Sequence, residues 1–393
     1  MFQVATLNRK PIIGVGLVAL VVVMSVGIFF AVAHPLSSLQ AKPTPIPYKA
    51  PPRSMEVPLA THRTQSQVAG RTTTTLNPWG VAIDQQSGYI WVAEPGCEMV
   101  PVCNPARTAI LGKFSFADGT LIQEYQEPAG YSSPLFVAVG PDGNVWFTQP
   151  STDAIGEFNP VTASFSKYAV TKGSGPYDLI VDKNGNLWFS EFTGNRIGFL
   201  NTQTHAVVET PIPTLDSNPY GITLDSQGTA WFTENREGVG RLGSFPVTTS
   251  GKITITEHNV VAVQPHLLVV DKAGNVWFSE AFAGQIGEYI PSAGTTRNYP
   301  VSAAICPALA SCIGSHISGI ALDKSGNVWF TDSLSGRVGY IVPGTGQLHA
   351  YTFATKNLHP HDGLAIDKNN TVWFTEEYGP ALVMWPGAKL PAK

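Results

Sequence analysis

Histidine and carboxylate side chains crowd into the last third of this 393-residue chain, where His316, His359 and His361 precede the adjacent pair Glu376 and Glu377. Imidazole titrates near neutral pH, and both imidazole and carboxylate ligate divalent ions. A fold that gathered these groups with His266 at one place could move a proton or hold a metal. Glu376 ends a phrase that the chain repeats, whereas Glu377 breaks the repeat. A unique carboxylate beside a repeated one is the better candidate for chemistry.

The repeated phrase must position them. A Val-Trp-Phe-Thr-Glu-like strand follows an Asp-x-x-Gly-Asn-like turn seven times, at Trp91, Trp146, Trp188, Trp231, Trp277, Trp329 and Trp373. These tryptophans lie 42 to 55 residues apart. That period, with several short strands in each repeat, is what one blade of a β-propeller needs. The sequence therefore predicts an all-β, seven-bladed β-propeller of four-stranded antiparallel blades over residues 55–393.

Blade six shows the expected pattern. Gly319 to Asp323 and Val328 to Asp332 read as a hairpin around the Lys324-Ser325-Gly326-Asn327 turn, with third and fourth strands at Gly336 to Val342 and Gln347 to Phe353. The last blade ends after Ala381 to Trp385, too early for a fourth strand of its own. An unpaired edge invites aggregation, so the segment from Met55 to Ser66 is expected to pair there and close the ring.

In a propeller the starts of the inner strands and the ends of the second strands open on one face. Just before the inner-strand glycine position stand Trp79, Leu135, Tyr177, Tyr220, His266, Ser318 and Asp362. This ring is aromatic on one side and polar on the other, which suits a small amphipathic ligand or a peptide. The repeated carboxylates, Glu376 among them, are expected to satisfy backbone donors of the neighbouring loops. His205, His258 and His349 fall in outer strands and read as surface groups.

The N-terminus sets location. Arg9-Lys10 precedes an uncharged apolar run from Pro11 to Ala33, long enough to span a bilayer. Residues 1–33 read as an anchor with the bulk of the chain outside the cytoplasm, or as a signal segment releasing a secreted protein if Ala31-Val32-Ala33 is cut. Residues 34–54 are proline-rich and read as an extended spacer. The four cysteines fall in two close pairs, Cys97 with Cys103 and Cys306 with Cys312, as expected of two disulfide-closed loops in an oxidising compartment. Zinc sites favour cysteines two to four residues apart, and here five residues intervene. A net charge of −4 without a basic block argues against nucleic acid as a partner. A closed ring buries its core without a second copy, so a monomer is expected.

Pro-Tyr-Gly-Ile at 219 to 222, Gly-Asn-Leu-Trp-Phe-Ser-Glu at 185 to 191 and Gly-Asn-Arg-Ile-Gly at 194 to 198 resemble the blade signature of the virginiamycin B lyase family. The resemblance covers all seven blades. It implies a propeller that opens a cyclic depsipeptide by elimination at its ester, using Mg²⁺ and adding no water. It further implies that a histidine abstracts the α-proton while a carboxylate-bound metal stabilises the enolate.

The family's last blade opens Glu-Pro-His-Gly, and here it reads His359-Pro360-His361-Asp362-Gly363. His361 matches the base if one residue is inserted, and Asp362 takes that slot without a gap. His359 then stands in place of one metal ligand, and Glu377 matches the carboxylate beyond Trp-Phe. His316 is a displaced equivalent of the sixth-blade Pro-His, while an intact Pro265-His266 occurs one blade early. Two other readings stay open: a metal-dependent lactonase or esterase like the gluconolactonase propellers, and a non-catalytic NHL-like module that binds peptide or glycan. Metal dependence separates enzyme from scaffold, and uptake of water separates hydrolase from lyase.

Overall fold

The Asp-x-x-Gly-Asn phrase and the tryptophan after it form one local unit. In blade three the Asp182 carboxylate accepts the backbone N–H of Asn184 and Asn186 through Oδ1, while Oδ2 accepts the Trp188 indole N–H at 3.1 Å. Asp225, Asp271, Asp323 and Asp367 take the corresponding indole N–H in blades four to seven. Gly185 closes the turn at φ +80°, where a side chain would be strained. One short side chain thus shapes the hairpin and satisfies a buried donor.

The phenylalanine after the tryptophan explains a second recurring residue. Phe189 faces Gly198 of the third strand in register, and an added Cβ there would collide with the ring. The same pairing joins Phe147 to Gly156, Phe232 to Gly243 and Phe278 to Gly287. A glycine in mid-strand is here the space an aromatic ring requires.

The computed structural model describes residues 70–73, 77–95, 110–131, 133–238, 240–301, 315–352, 358–377 and 381–385. These form seven four-stranded antiparallel sheets, each built in chain order from the inner strand outward, apart from the last. In that sheet Gly70–Thr73 supplies the outermost strand, pairing antiparallel with Ala381–Trp385. The ring is closed by an N-terminal strand as the sequence predicts, but by a later segment than Met55 to Ser66, which lies outside the described residues. The expected anchor, the spacer and all four cysteines also lie outside them. Among the described residues no helix is long and apolar enough to cross a membrane.

Blades are stitched together by the hydroxyl that ends each Trp-Phe-Thr/Ser phrase. Thr331 of blade six accepts the N–H of Gly319 in its own blade at 2.8 Å and donates to the carbonyl of His361 in blade seven at 2.6 Å. Ser190, Thr233 and Ser279 do the same toward Tyr220, His266 and Ser318. Thr148 reaches Tyr177, and Thr375 closes the circle onto Trp79. Blade one has Ala93 at this position, and there the Gly80 N–H donates directly to the Leu135 carbonyl. These bonds pin the backbone carbonyls of the mouth residues between neighbouring blades.

Candidate active site at the channel mouth

The stitch identifies the ring of residues at the mouth. The carbonyls it engages belong to Trp79, Tyr177, Tyr220, His266, Ser318 and His361. Blade seven therefore contributes His361 at the ring position, where the glycine count pointed to Asp362. Strand register gives the cause. In blade five Pro265 pairs with Glu280 and Leu268 with Phe278, whereas in blade seven Pro360 pairs with Glu376 and the next partners are Leu364 and Phe374. The bulge of blade seven holds one more residue than that of blade five. Asp362 is the extra residue, so this blade presents two polar side chains.

Asp362 is the hub of the mouth. Its Oδ2 accepts the Tyr220 hydroxyl at 2.7 Å, and Tyr220 in turn accepts the Tyr177 hydroxyl at 2.7 Å. Its Oδ1 lies 3.4 Å from His266 Nε2, and Oδ2 lies 3.6 Å from His361 Nδ1. Burial pushes the Asp362 carboxyl up, but the nearby His361 and His266 rings and the hydrogen bond from Tyr220 outweigh it and hold the group well below the usual carboxylate range. Asp362 is thus ionised. Burial, followed by the Asp362 charge, drives the Tyr220 and Tyr177 hydroxyls well above their ordinary range, so both remain proton donors.

The histidines form a row across blades five to seven. His266 meets His316 edge to face at 5.5 Å between centroids, His316 stacks on His361 at 5.1 Å, and His361 stacks on His359 at 5.8 Å. Burial lowers the His361 pKa and outweighs the pull of Asp362 and Glu377 in the other direction. Burial and the neighbouring His361 and His266 lower that of His316 further. Both rings are thus pushed toward the neutral form, the one that can accept a proton. Trp79 packs 4.6 Å from His361, and its buried indole N–H has no hydrogen-bond partner. Tyr177, Tyr220 and Phe192 form an aromatic cluster that continues the row beyond His266.

Glu377 is fully buried, neither of its carboxylate oxygens has a hydrogen-bond partner, and Oε2 lies 3.2 Å from His359 Nδ1. A buried carboxylate without donors suits a cation. Among the described residues no three His, Cys, Asp or Glu side chains are grouped to hold a metal. The pair offers one oxygen and one nitrogen donor, two of the positions a divalent ion would need.

Other expected residues fall elsewhere. Glu376 lies buried in register opposite Pro360, in the repeated place held by Glu280 and Asp332 in their blades. Glu280 and Asp332 do accept loop N–H groups, from Val263 and His316. Glu191 and Glu234 instead face Glu209 and Glu257 of their own outer strands, alongside Arg196 and Arg241. The Ser318 hydroxyl turns to Thr331 at 3.3 Å and belongs to the stitch. His258 and His349 pack on Trp231 and Tyr340 instead of standing free at the surface. Asn235 and Ser333, which reach His266 and His316 at 3.2 Å, carry no repeat signal of their own, although each directly follows a second-strand carboxylate.

Comparison with known proteins agrees with this architecture. No curated protein matches the chain. Three solved structures of virginiamycin or streptogramin B lyase resemble it. A catalytically inactive variant of virginiamycin B lyase from Staphylococcus aureus, crystallised with quinupristin, is 23% identical at a TM-score of 0.66, covering 80% of this chain and 97% of its own. The selenomethionine form of the Staphylococcus aureus enzyme is 24% identical at 0.66, covering 79% and 96%. A streptogramin B lyase structure is 22% identical at 0.65, covering 81% and 99%. At these identities the likeness shows the fold. The model of the Virginiamycin B lyase family matches residues 104–308, more than half of the sequence, and the chain belongs to that family.

Proposed function

We propose that the protein is an extracytoplasmic carbon–oxygen lyase that opens a cyclic depsipeptide at its ester by elimination, with His361 as the base. The observation that carries this reading is the meeting of neutral His361, ionised Asp362 and the Tyr177–Tyr220 pair at one buried mouth. His361 takes the proton from the carbon next to the carbonyl. The C–H electron pair becomes the new C=C bond, the neighbouring C–O bond breaks, and the ester oxygen leaves as a carboxylate. His361 then gives its proton to solvent, and no water enters the product. Asp362, fixed by Tyr220 and His266, orients His361 and favours its protonated form at the moment of transfer. A divalent ion on Glu377 and His359 would polarise the carbonyl whose neighbouring C–H is removed.

The mouth suits a ligand larger than itself. Leu215, Val261, Val263, Phe282 and Leu334 are exposed, and all stand on loops of the face where the inner strands begin. Phe282 lies 5.1 Å from His316, joining this apolar rim to the histidine row. In the test, quinupristin is incubated with purified protein and with His361→Ala and Glu377→Ala. Each substitution is expected to abolish ring opening with the melting temperature unchanged; full activity in both would dismiss the site.

A further inference from the structure

Asp362 has no counterpart in the other blades, and the groups that receive it come from blades four and five. His266 approaches its Oδ1 through Nε2 at 3.4 Å. The other ring nitrogen, Nδ1, lies 3.2 Å from the Asn235 side-chain nitrogen. The orientation of that amide follows from its remaining partners. Asn235 Nδ2 donates to the Pro265 backbone carbonyl at 2.8 Å, and a carbonyl can only accept. Asn235 Oδ1 accepts the Gln264 side-chain N–H at 3.3 Å. The group facing His266 Nδ1 is therefore an N–H donor, and Nδ1 has to be the bare nitrogen. The ring proton then sits on Nε2, the ring nitrogen 3.4 Å from Asp362 Oδ1.

We propose that Asn235 is a positioning residue that locks His266 into the Nε2–H tautomer, so that a protonated nitrogen and not a lone pair faces the inserted Asp362 carboxylate at the channel mouth. With the opposite tautomer, a lone pair on Nε2 would face the Asp362 lone pairs and the contact would be repulsive. Asn235 is buried at 5% exposure, so no bulk water can substitute for its amide. The role is that of the carboxyl or carbonyl group behind a metal-bound or catalytic histidine: it selects which nitrogen carries the proton. Tyr220 reinforces the arrangement, packing on the His266 ring at 3.7 Å while donating to the same carboxylate. The consequence for turnover rests on the elimination reading above; the tautomer itself does not.

The test is a long-range proton–nitrogen spectrum of the full protein labelled with ¹⁵N-histidine, with the His266 signals assigned by their loss in His266→Gln. The wild type should show His266 protonated at Nε2 and bare at Nδ1. A proton at Nδ1 would overturn the proposal, whatever the variants do. In Asn235→Asp the side chain can only accept, so His266 should gain a proton on Nδ1, with circular dichroism and melting confirming the fold; an unchanged His266 pattern in that folded variant would also overturn it. If quinupristin is a substrate, Asn235→Asp should lower kcat about tenfold with KM little changed. If quinupristin is not turned over at all, the elimination reading fails while the spectrum still decides the tautomer.

Discussion

At the scale of single residues, the site depends on one insertion. Asp362 lengthens the opening bulge of blade seven and adds an ionised carboxylate beside His361. The sequence shows one extra residue between Pro360 and Gly363 but not which of His361 and Asp362 keeps the ring position. The decision lies in which carbonyl the Thr331 hydroxyl engages, and that is a contact between blades. Asp362→Ala would strand the buried Tyr220 hydroxyl without its acceptor and remove the carboxylate beside His266 and His361. Losing a buried hydrogen bond to a charged group should cost about 1.5–3 kcal/mol in a urea unfolding experiment. An unchanged midpoint would mean that Asp362 is not the hub described here. Asn235 was hidden for a different reason: its signal is only that it follows a repeated carboxylate, and asparagine is common in such loops.

At the scale of the strand, the legible features were those whose cause is local. The turn aspartate, the indole it holds and the positive-φ glycine all lie within a few residues of one another, and the hairpin could be read from them directly. The closing strand was harder. Gly70–Thr73 has no apolar alternation to announce it, and its pairing with Ala381–Trp385 is set by the ring being nearly closed already. The stitch can be tested in one blade. Thr331→Val removes the partner of both the Gly319 N–H and the His361 carbonyl, and about 1–3 kcal/mol of stability should be lost together with the placement of His361. Thr331→Ser should restore both, since Ser190 and Ser279 do this work in their own blades. A valine variant as stable as the wild type would show that the stitch is dispensable.

At the scale of the molecule, the ring responds to pH through paired acids. Burial pushes the Glu191 and Glu234 carboxyls up to about 8, with Glu209 and Glu257 opposite them adding to the shift. The folded state thus holds protons that the unfolded chain releases near its ordinary value of 4.5. Stability from these groups is fully present below that value and is lost as pH rises toward 8. Glu191→Gln should flatten part of this slope, with melting temperatures at pH 5 and pH 8.5 closer together than in the wild type. An equally steep slope would place the pH dependence elsewhere. Ring closure makes a second prediction: a chain starting after Thr73 should melt well below one starting at Gly70, because it leaves Ala381–Trp385 as an open edge. Equal melting would show that the ring needs no closing strand.

The central claim, that this propeller mouth performs an elimination, is tested most directly by the mass of quinupristin after incubation with the protein, once with Mg²⁺ and once with chelator. The account predicts a linear product of unchanged mass that forms only with the metal. A product heavier by one water, or cyclic quinupristin recovered intact under both conditions, would contradict it.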